Sequence, residues 1–407
     1  MSRIIVVGAG LAGLSAALMA REAGHAVTVV TKGYGGGQLL STGALDVFGW
    51  RADGSLVDDP FAEVEAQKGT DHPYAVIGAG NVRHGLKWLM NGPAAPLEFR
   101  GADKNVLVPT SVGATRPTWA VPAAMHDSVL RDGEKVLVLG IDIYKDLPAR
   151  LASDNLNRSQ YVGLESRFDT LQLAGMKGEQ DDTSTTLAHL ADEDSTYLTS
   201  RIRAARLPGE TVLIPSMLGQ EPDTFKEIRE HAGGPIGEVV GPPPSMGSRR
   251  LHEALVWECR RQRVDVQLNT AALGVVSDGS AVTALRVQRA GRVTEDRVDA
   301  IIHAPGGFES GGLARDSYGK ITEPALGLYV DIPGGAKSEQ LQDELSIFKC
   351  GVRVNEQMQP LDADGNVAYT NVHLAGDVIA GALPFHELSG EGISLGSAWA
   401  AAQALGA

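Results

Sequence analysis

Apolar residues cluster first at positions 4–7, return at helical spacing from Leu11 to about Ala23, and form a second run over 26–31. The stretches "RIIVV", "LAGLSAALMARE" and "AVTVVT" therefore predict a strand, a helix and a strand. From 50 to 130 the pattern is broken by seven prolines and interrupted by one helical stretch, "NVRHGLKWLM". Strand-like runs at 135–140 ("KVLVLG"), about 161–170, 211–215 ("TVLIP") and 237–241 ("GEVVG") then alternate with helical ones. The helices are expected from about Lys145, over 183–205 and from about Asp223. Such alternation predicts a parallel α/β layer.

Further on, a helix from about Ser248 to Arg261 leads to a strand at 264–268 and an antiparallel pair at 273–277 and 282–288, turned by "SDGS". "AIIHA" (300–304) and "NVHLAGD" (371–377) read as buried strands, and a helix from about Gly392 closes the chain. The expected fold class is α/β: a discontinuous Rossmann-like domain of the FAD/NAD(P)-binding kind, with an inserted second α/β domain. The expected bounds are 1–50 plus 245–407 for the first and 51–244 for the insert.

Composition narrows the function classes. Glycine is frequent, 49 of 407 residues, or about 12% against a typical ~7%, which suits close backbone packing around a ligand. The net charge of -14 without any sizeable basic cluster argues against a nucleic-acid surface. Two isolated cysteines and ten scattered histidines show no metal-ligand spacing, so no metal or iron–sulfur site is expected in this chain. The N-terminal apolar run has one basic residue before it, as a signal peptide would, but glycines at 8, 10 and 13 serve a nucleotide turn and not a leader. A cytoplasmic location is the expectation.

"VVGAGLAGLSAA" satisfies G-x-G-x-x-G between a strand and a helix. Gly8 makes the turn, Gly10 lets a phosphate approach the backbone, and Gly13 lets the helix lie close to the strand. The helix start offers N–H donors and a positive dipole end. The second strand ends in Thr31-Lys32, where an Asp or Glu would bind the ribose. Thr31 can hydrogen-bond a ribose without charge assistance. Lys32 is either a phosphate neutraliser or an ordinary surface lysine. Gly376-Asp377 closes a strand, where an Asp can take a polyol hydroxyl. The helix beginning near Gly392 and Ile393 can face a reduced isoalloxazine with its amides. Together these favour a flavin.

The pattern resembles flavoproteins of the fumarate reductase and L-aspartate oxidase type, in which a Ser/Thr-Lys pair and a glycine-rich loop follow the second strand. That resemblance implies that "GGGQLLSTGALD" (35–46) lies along the flavin, with Ser41, Thr42 and Gly43 nearest it. The chain also resembles the B subunits of anaerobic glycerol-3-phosphate dehydrogenases through "LSTGALDVFG", "VPTSVGATRPTW", "GPPPSMGSRRL", "APGGFESGGL", "ITEPALGLYV" and "HLAGDVIAG". This implies two partners: a flavoprotein, the A subunit, and an iron–sulfur protein, the C subunit, which holds the complex at the inner face of the cell membrane. It also implies oxidation of glycerol 3-phosphate to dihydroxyacetone phosphate, with electrons passing to quinone. The family implies FMN, whereas the glycine turn is shaped for the pyrophosphate of FAD. Catalytic residues are not identified by any surrounding motif. Arg116 is a candidate anion ligand, His386 and Glu387 are candidate proton carriers, and Arg249 and Arg250 are further phosphate candidates.

Overall fold

The computed structural model describes residues 1–35, 41–173, 181–332 and 346–406. The chain forms two compact units, one from 1–38, 46–93 and 252–407 and the other from 39–45 and 94–251.

The first unit opens with β1 (Arg3–Val7), α1 (Leu11–Glu22) and β2 (Ala26–Val30). In α1 every residue from Leu11 to Ala20 is buried, so the helix is apolar on all sides and small side chains let neighbours close in. Asp59 caps the short α2 (Pro60–Ala66) by accepting the Phe61 and Ala62 amides, both at 3.0 Å. Helix α3 (Tyr74–Asn91) begins seven residues before the stretch expected from periodicity, because Gly78, at φ 73°, bends it there and hides the repeat.

The second unit starts with an antiparallel hairpin, β3 (Arg100–Pro109) and β4 (Thr115–Val121), inside the proline-rich stretch. Its prolines stand at the end of β3 and on β4, positions a two-stranded edge tolerates. A parallel sheet follows from β5 (Lys135–Ile141), α4 (Ala149–Leu156), β6 (Glu165–Leu171), α5 (Ser184–Glu193), α6 (Ser195–Ala205), β7 (Glu210–Ile214), α7 (Pro222–His231) and β8 (Ile236–Glu238). The strand order is β6-β5-β7-β8, with every pair parallel. The single helix expected over 183–205 is two, parted at Asp194, whose carboxylate accepts the Tyr197 amide at 2.9 Å. Helix α8 (Met246–Arg261) ends this unit and enters the first again.

The remaining strands are β9 (Asp265–Gln267), an antiparallel meander of β10 (Thr270–Asp278), β11 (Ala281–Arg289) and β12 (Arg292–Arg297), then β13 (Ala300–His303), the small pair β14 (Ala314–Arg315) and β15 (Ile321–Thr322), and β16 (Val372–Leu374). Helices α9 (Pro384–Glu387) and α10 (Gly390–Ala404) complete the chain. The central sheet has the order β16-β13-β1-β2-β9, all parallel. Strand order reverses at β1, and the crevice outside its carboxyl end is where open α/β sheets bind ligands.

Residues 51–93, expected in the insert, pack with the first unit. The reason is α10, whose apolar length lies along α3. A side chain at Gly85 would run into the Leu395 carbonyl, and one at Gly396 would meet Ile77 and Val82 at 2.8 Å. Close helix contact of this kind encodes no hydrophobic stripe.

Candidate functional site

The glycine turn sits at the carboxyl end of β1 as its sequence requires. Gly8 holds φ 104°, and its amide donates to the Val30 carbonyl at 2.9 Å. A side chain at Gly8 would strike the Ala304 carbonyl, and one at Gly13 would strike Gly8 itself. At Gly10 a Cβ would meet nothing nearer than the Gly35 carbonyl oxygen at 3.7 Å, so the backbone there is open to approach. Gly10 caps α1 without a side chain, and the first turn carries no acidic residue. A helix start of this kind can receive an external anion.

Thr31 is buried, and its hydroxyl is already used. It donates to the Gly33 carbonyl at 2.5 Å and receives the Gly33 amide at 3.3 Å. One lone pair remains, so Thr31 can accept from a ribose hydroxyl but cannot also donate. Lys32 is exposed.

Gly376 follows β16 at φ 78°, a left-handed turn that glycine adopts without strain. Its amide donates to Ser397 Oγ at 2.9 Å, fixing the turn to α10. Asp377 then lines a narrow cleft together with Glu309, Phe308, Phe348, Phe385 and Ile393. Its Oδ1 is fully buried with no hydrogen-bond partner among the described residues. Burial, with Glu309 adding repulsion, pushes the Asp377 carboxyl up to about 7. Glu309 accepts the Gly307 amide at 3.2 Å and the Ser310 hydroxyl at 3.3 Å. The three phenylalanines stand edge-on, Phe308 to Phe348 at 6.4 Å and Phe348 to Phe385 at 6.3 Å. Sequence reading missed Glu309 and these rings; only the spacing of "GGFESGG" after a buried strand hints at them.

The start of α10 differs from expectation. The Gly392 amide donates to the Asp46 carbonyl at 2.8 Å, and the Ile393 amide to the Ser389 carbonyl at 3.0 Å. The two amides expected to face a flavin are thus spent within the protein. The contact needs glycine, since a Cβ at Gly392 would collide with Tyr74.

Glu387 is not placed as a proton carrier. Its carboxylate lies 3.1 Å from His72 Nε2 and accepts the Ser389 hydroxyl at 3.3 Å, while its carbonyl accepts the Gly49 and Trp50 amides at 2.7 and 3.1 Å. Burial raises its pKa, but the His72 and Ser389 hydrogen bonds outweigh this and hold it below the usual value. His386, one residue earlier, is exposed.

A second buried pair leaves no signal in the sequence. His303, the last residue of β13, has Nε2 3.0 Å from Glu323 Oε1, with both side chains fully buried. Glu323 also accepts the Ala325, Leu326 and Leu328 amides at 2.8, 2.9 and 3.2 Å. Although burial opposes it, these bonds bring Glu323 down to about 2. The pair fastens the 321–328 segment to the carboxyl end of β13.

The other candidates lie in the second unit. Gly43, at φ 81°, packs backbone to backbone on Gly247, Ser41 accepts the Ser245 hydroxyl on its carbonyl at 3.3 Å, and the Thr42 hydroxyl accepts the Ala44 amide at 3.2 Å. Residues 36–40 of the expected flavin bed lie outside the described residues. Arg116 is half-buried on β4, paired in register with Val108. Arg249 is half-buried near the start of α8. Arg250 is not available to a phosphate. It is buried, grips both Glu238 oxygens at 2.7 and 2.8 Å, and donates Nε to the Gly219 carbonyl at 2.9 Å.

A family model described as an FAD binding domain matches residues 3–393. The chain is similar to the probable B subunit of the anaerobic glycerol-3-phosphate dehydrogenase of Halobacterium salinarum, 27% identical over 99% of this chain and 97% of that protein. It is equally similar to the B subunit of the Yersinia enterocolitica enzyme of the same name, 27% identical over 97% of this chain and 96% of the other. The corresponding protein of Vibrio cholerae is 26% identical over 98% of this chain and 95% of its own length.

Proposed function

We propose, since this chain belongs to the family of FAD binding domains, that it is the FAD-bearing B subunit of an anaerobic glycerol-3-phosphate dehydrogenase. The end-to-end likeness to B subunits carries the assignment. FAD, unlike FMN, has the pyrophosphate that the Gly8–Gly13 turn is shaped to meet, and the site residues fit it.

On this reading Gly8, Gly10 and Gly13 with the start of α1 hold the pyrophosphate, and Thr31 accepts from the ribose. Asp377 takes a hydroxyl of the polyol chain with its unpartnered Oδ1. When bound, the flavin supplies a two-electron acceptor for the carbon that bears the substrate's secondary hydroxyl. The protein's part is to place that carbon, bind the phosphate and remove the hydroxyl proton. Arg116 is the proposed phosphate ligand and His386 the proposed proton carrier. Ser41, Thr42 and Gly43 are proposed to line the flavin, and Lys32 to balance phosphate charge. His72 and Glu387 hold the connection between α3 and α9 in place.

A B subunit implies an assembly. We take the partners to be a flavoprotein A subunit and an iron–sulfur C subunit, through which electrons reach quinone at the membrane. No helix among the described residues is long and apolar enough to cross a membrane, so on this reading attachment comes through a partner.

The test is anaerobic. The purified FAD-loaded chain is mixed with glycerol 3-phosphate, with and without the flavoprotein partner, and flavin absorbance is followed. Bleaching in either mixture supports the reading, and bleaching by the chain alone places substrate oxidation here. No bleaching in either, with dithionite still reducing the flavin, would overturn it.

A further inference from the structure

The first unit carries a second cleft away from the glycine turn. It lies against the amino-terminal halves of β1 and β2 and is walled by Arg3, Arg21, Arg263 and Arg297, with Gln267 and Asp296, around a volume of about 280 Å³. Arg3 and Gly8 stand at opposite ends of β1, about 16 Å apart at ~3.3 Å per residue. The two sites are therefore distinct.

Four arginines and one acidic residue line this cleft, and the acidic residue, Asp296, is already paired with Arg289. Arg3 is met by Asp299 at 3.1 Å, an exposed pair of little worth. Arg21 donates Nε to the Gln262 carbonyl and Nη1 to the His25 carbonyl, each at 3.1 Å. Those bonds aim its guanidinium without neutralising it. Among the described residues, Arg263 and Arg297 make no ion pair.

Arg263 also has a left-handed backbone, φ 59°, in the turn after α8. Helix ends of this shape usually use glycine or asparagine. The residue in that turn is among those that line the cleft. In a chain of net charge -14, such a cationic pocket concentrates field and draws anions.

We propose that this cleft binds a phosphate group, presented either by a small soluble phosphate ester or by a glycerophospholipid headgroup. Planar guanidinium forks match tetrahedral oxyanions in pairs of hydrogen bonds, which single ammonium groups do not. The inference stands apart from the flavin site and from the proposed dehydrogenase activity.

The experiment uses the full chain loaded with FAD and its R263Q/R297Q variant, both side chains being exposed. Calorimetry with inorganic phosphate reads the soluble source. Sedimentation with phosphatidylcholine vesicles, with and without phosphatidylglycerol, reads the headgroup source. Binding of phosphate that weakens about tenfold or more in the variant and falls with added salt supports the proposal with a soluble ligand. Binding only to phosphatidylglycerol vesicles, lost in the variant, supports it with a headgroup. Binding to neither, or binding equal in both proteins, would overturn it. Circular dichroism and flavin content, unchanged in the variant, exclude misfolding as the cause of any loss.

Discussion

His72 stands between Tyr74 and Glu387, accepting the Tyr74 amide on Nδ1 at 3.1 Å and reaching Glu387 Oε2 with Nε2 at 3.1 Å. Because Nδ1 accepts, Nε2 carries the proton and donates it to the carboxylate. The Tyr74 hydroxyl donates in turn to the Val47 and Ser389 carbonyls at 2.6 and 3.1 Å. The chain of bonds ties the start of α3 to the segment just before α10. It explains why Glu387, which the sequence offers as a proton carrier, is a structural residue.

Glu387→Ala is accordingly expected to lower stability by about 2–3 kcal/mol, the cost of stripping a buried hydrogen-bonded charge and leaving His72 unsatisfied. Urea unfolding checks this: the midpoint falls while the slope stays constant. His386→Ala, on the exposed neighbour, leaves the midpoint where it is.

Glu323 makes the fold acid-sensitive in a defined window. Its folded value is depressed to about 2 from 4.5, so it contributes stability above pH 4.5 that is lost as pH falls towards 2. Glu323→Gln is expected to cost roughly 3 kcal/mol at pH 7. That gap narrows as the pH is lowered below 4.5, and denaturant melts of both proteins between pH 7 and 3 read it. A gap that does not change with pH would refute an ionised Glu323.

Asp377 behaves in the opposite sense. Its folded value is raised from 3.8 to about 7, so the folded FAD-free protein holds a proton that the unfolded chain releases. Stability is lost as pH rises from about 4 to 7. Asp377→Asn, an uncharged mimic, is expected to match wild type near pH 4 and to exceed it in stability at pH 8. Melts of the FAD-free proteins measure this. Asp377→Ala, tested by flavin fluorescence, is expected to weaken FAD binding about tenfold through the lost hydrogen bond.

Arg250 and Glu238 form a buried bidentate pair, with side chains 7% and 2% exposed. Arg250→Met leaves Glu238 charged and partly unpartnered, which is expected to cost about 3–5 kcal/mol. Adding Glu238→Leu to Arg250→Met recovers most of that loss. A double-mutant cycle by urea unfolding tests it; no recovery would mean the pair is not coupled.

Gly13→Ala puts a methyl group against the Gly8 carbonyl. Overpacking of this kind is expected to cost about 1–3 kcal/mol and to lower the FAD content of the purified protein. The ratio of visible flavin absorbance to protein absorbance reports it.

The local elements of the nucleotide fold were legible in the residues themselves. "RIIVVGAGLAG" can form little but a strand, a sharp turn and a closely packed helix, because the apolar spacing and the glycines both demand it. Asp377 at a strand end was legible for the same reason. Tertiary structure alone decided the rest. The placement of 51–93 with the first unit depends on Gly85 of α3 lying against Leu395 and Gly396 of α10 against Ile77 and Val82, which leaves no periodic trace. The roles of Arg250, Glu387 and Gly392 were set by partners 12, 315 and 346 residues away, respectively Glu238, His72 and Asp46. A charged or polar group shows its type in sequence, but whether it is free for a ligand depends on which distant carbonyl or carboxylate has already taken it.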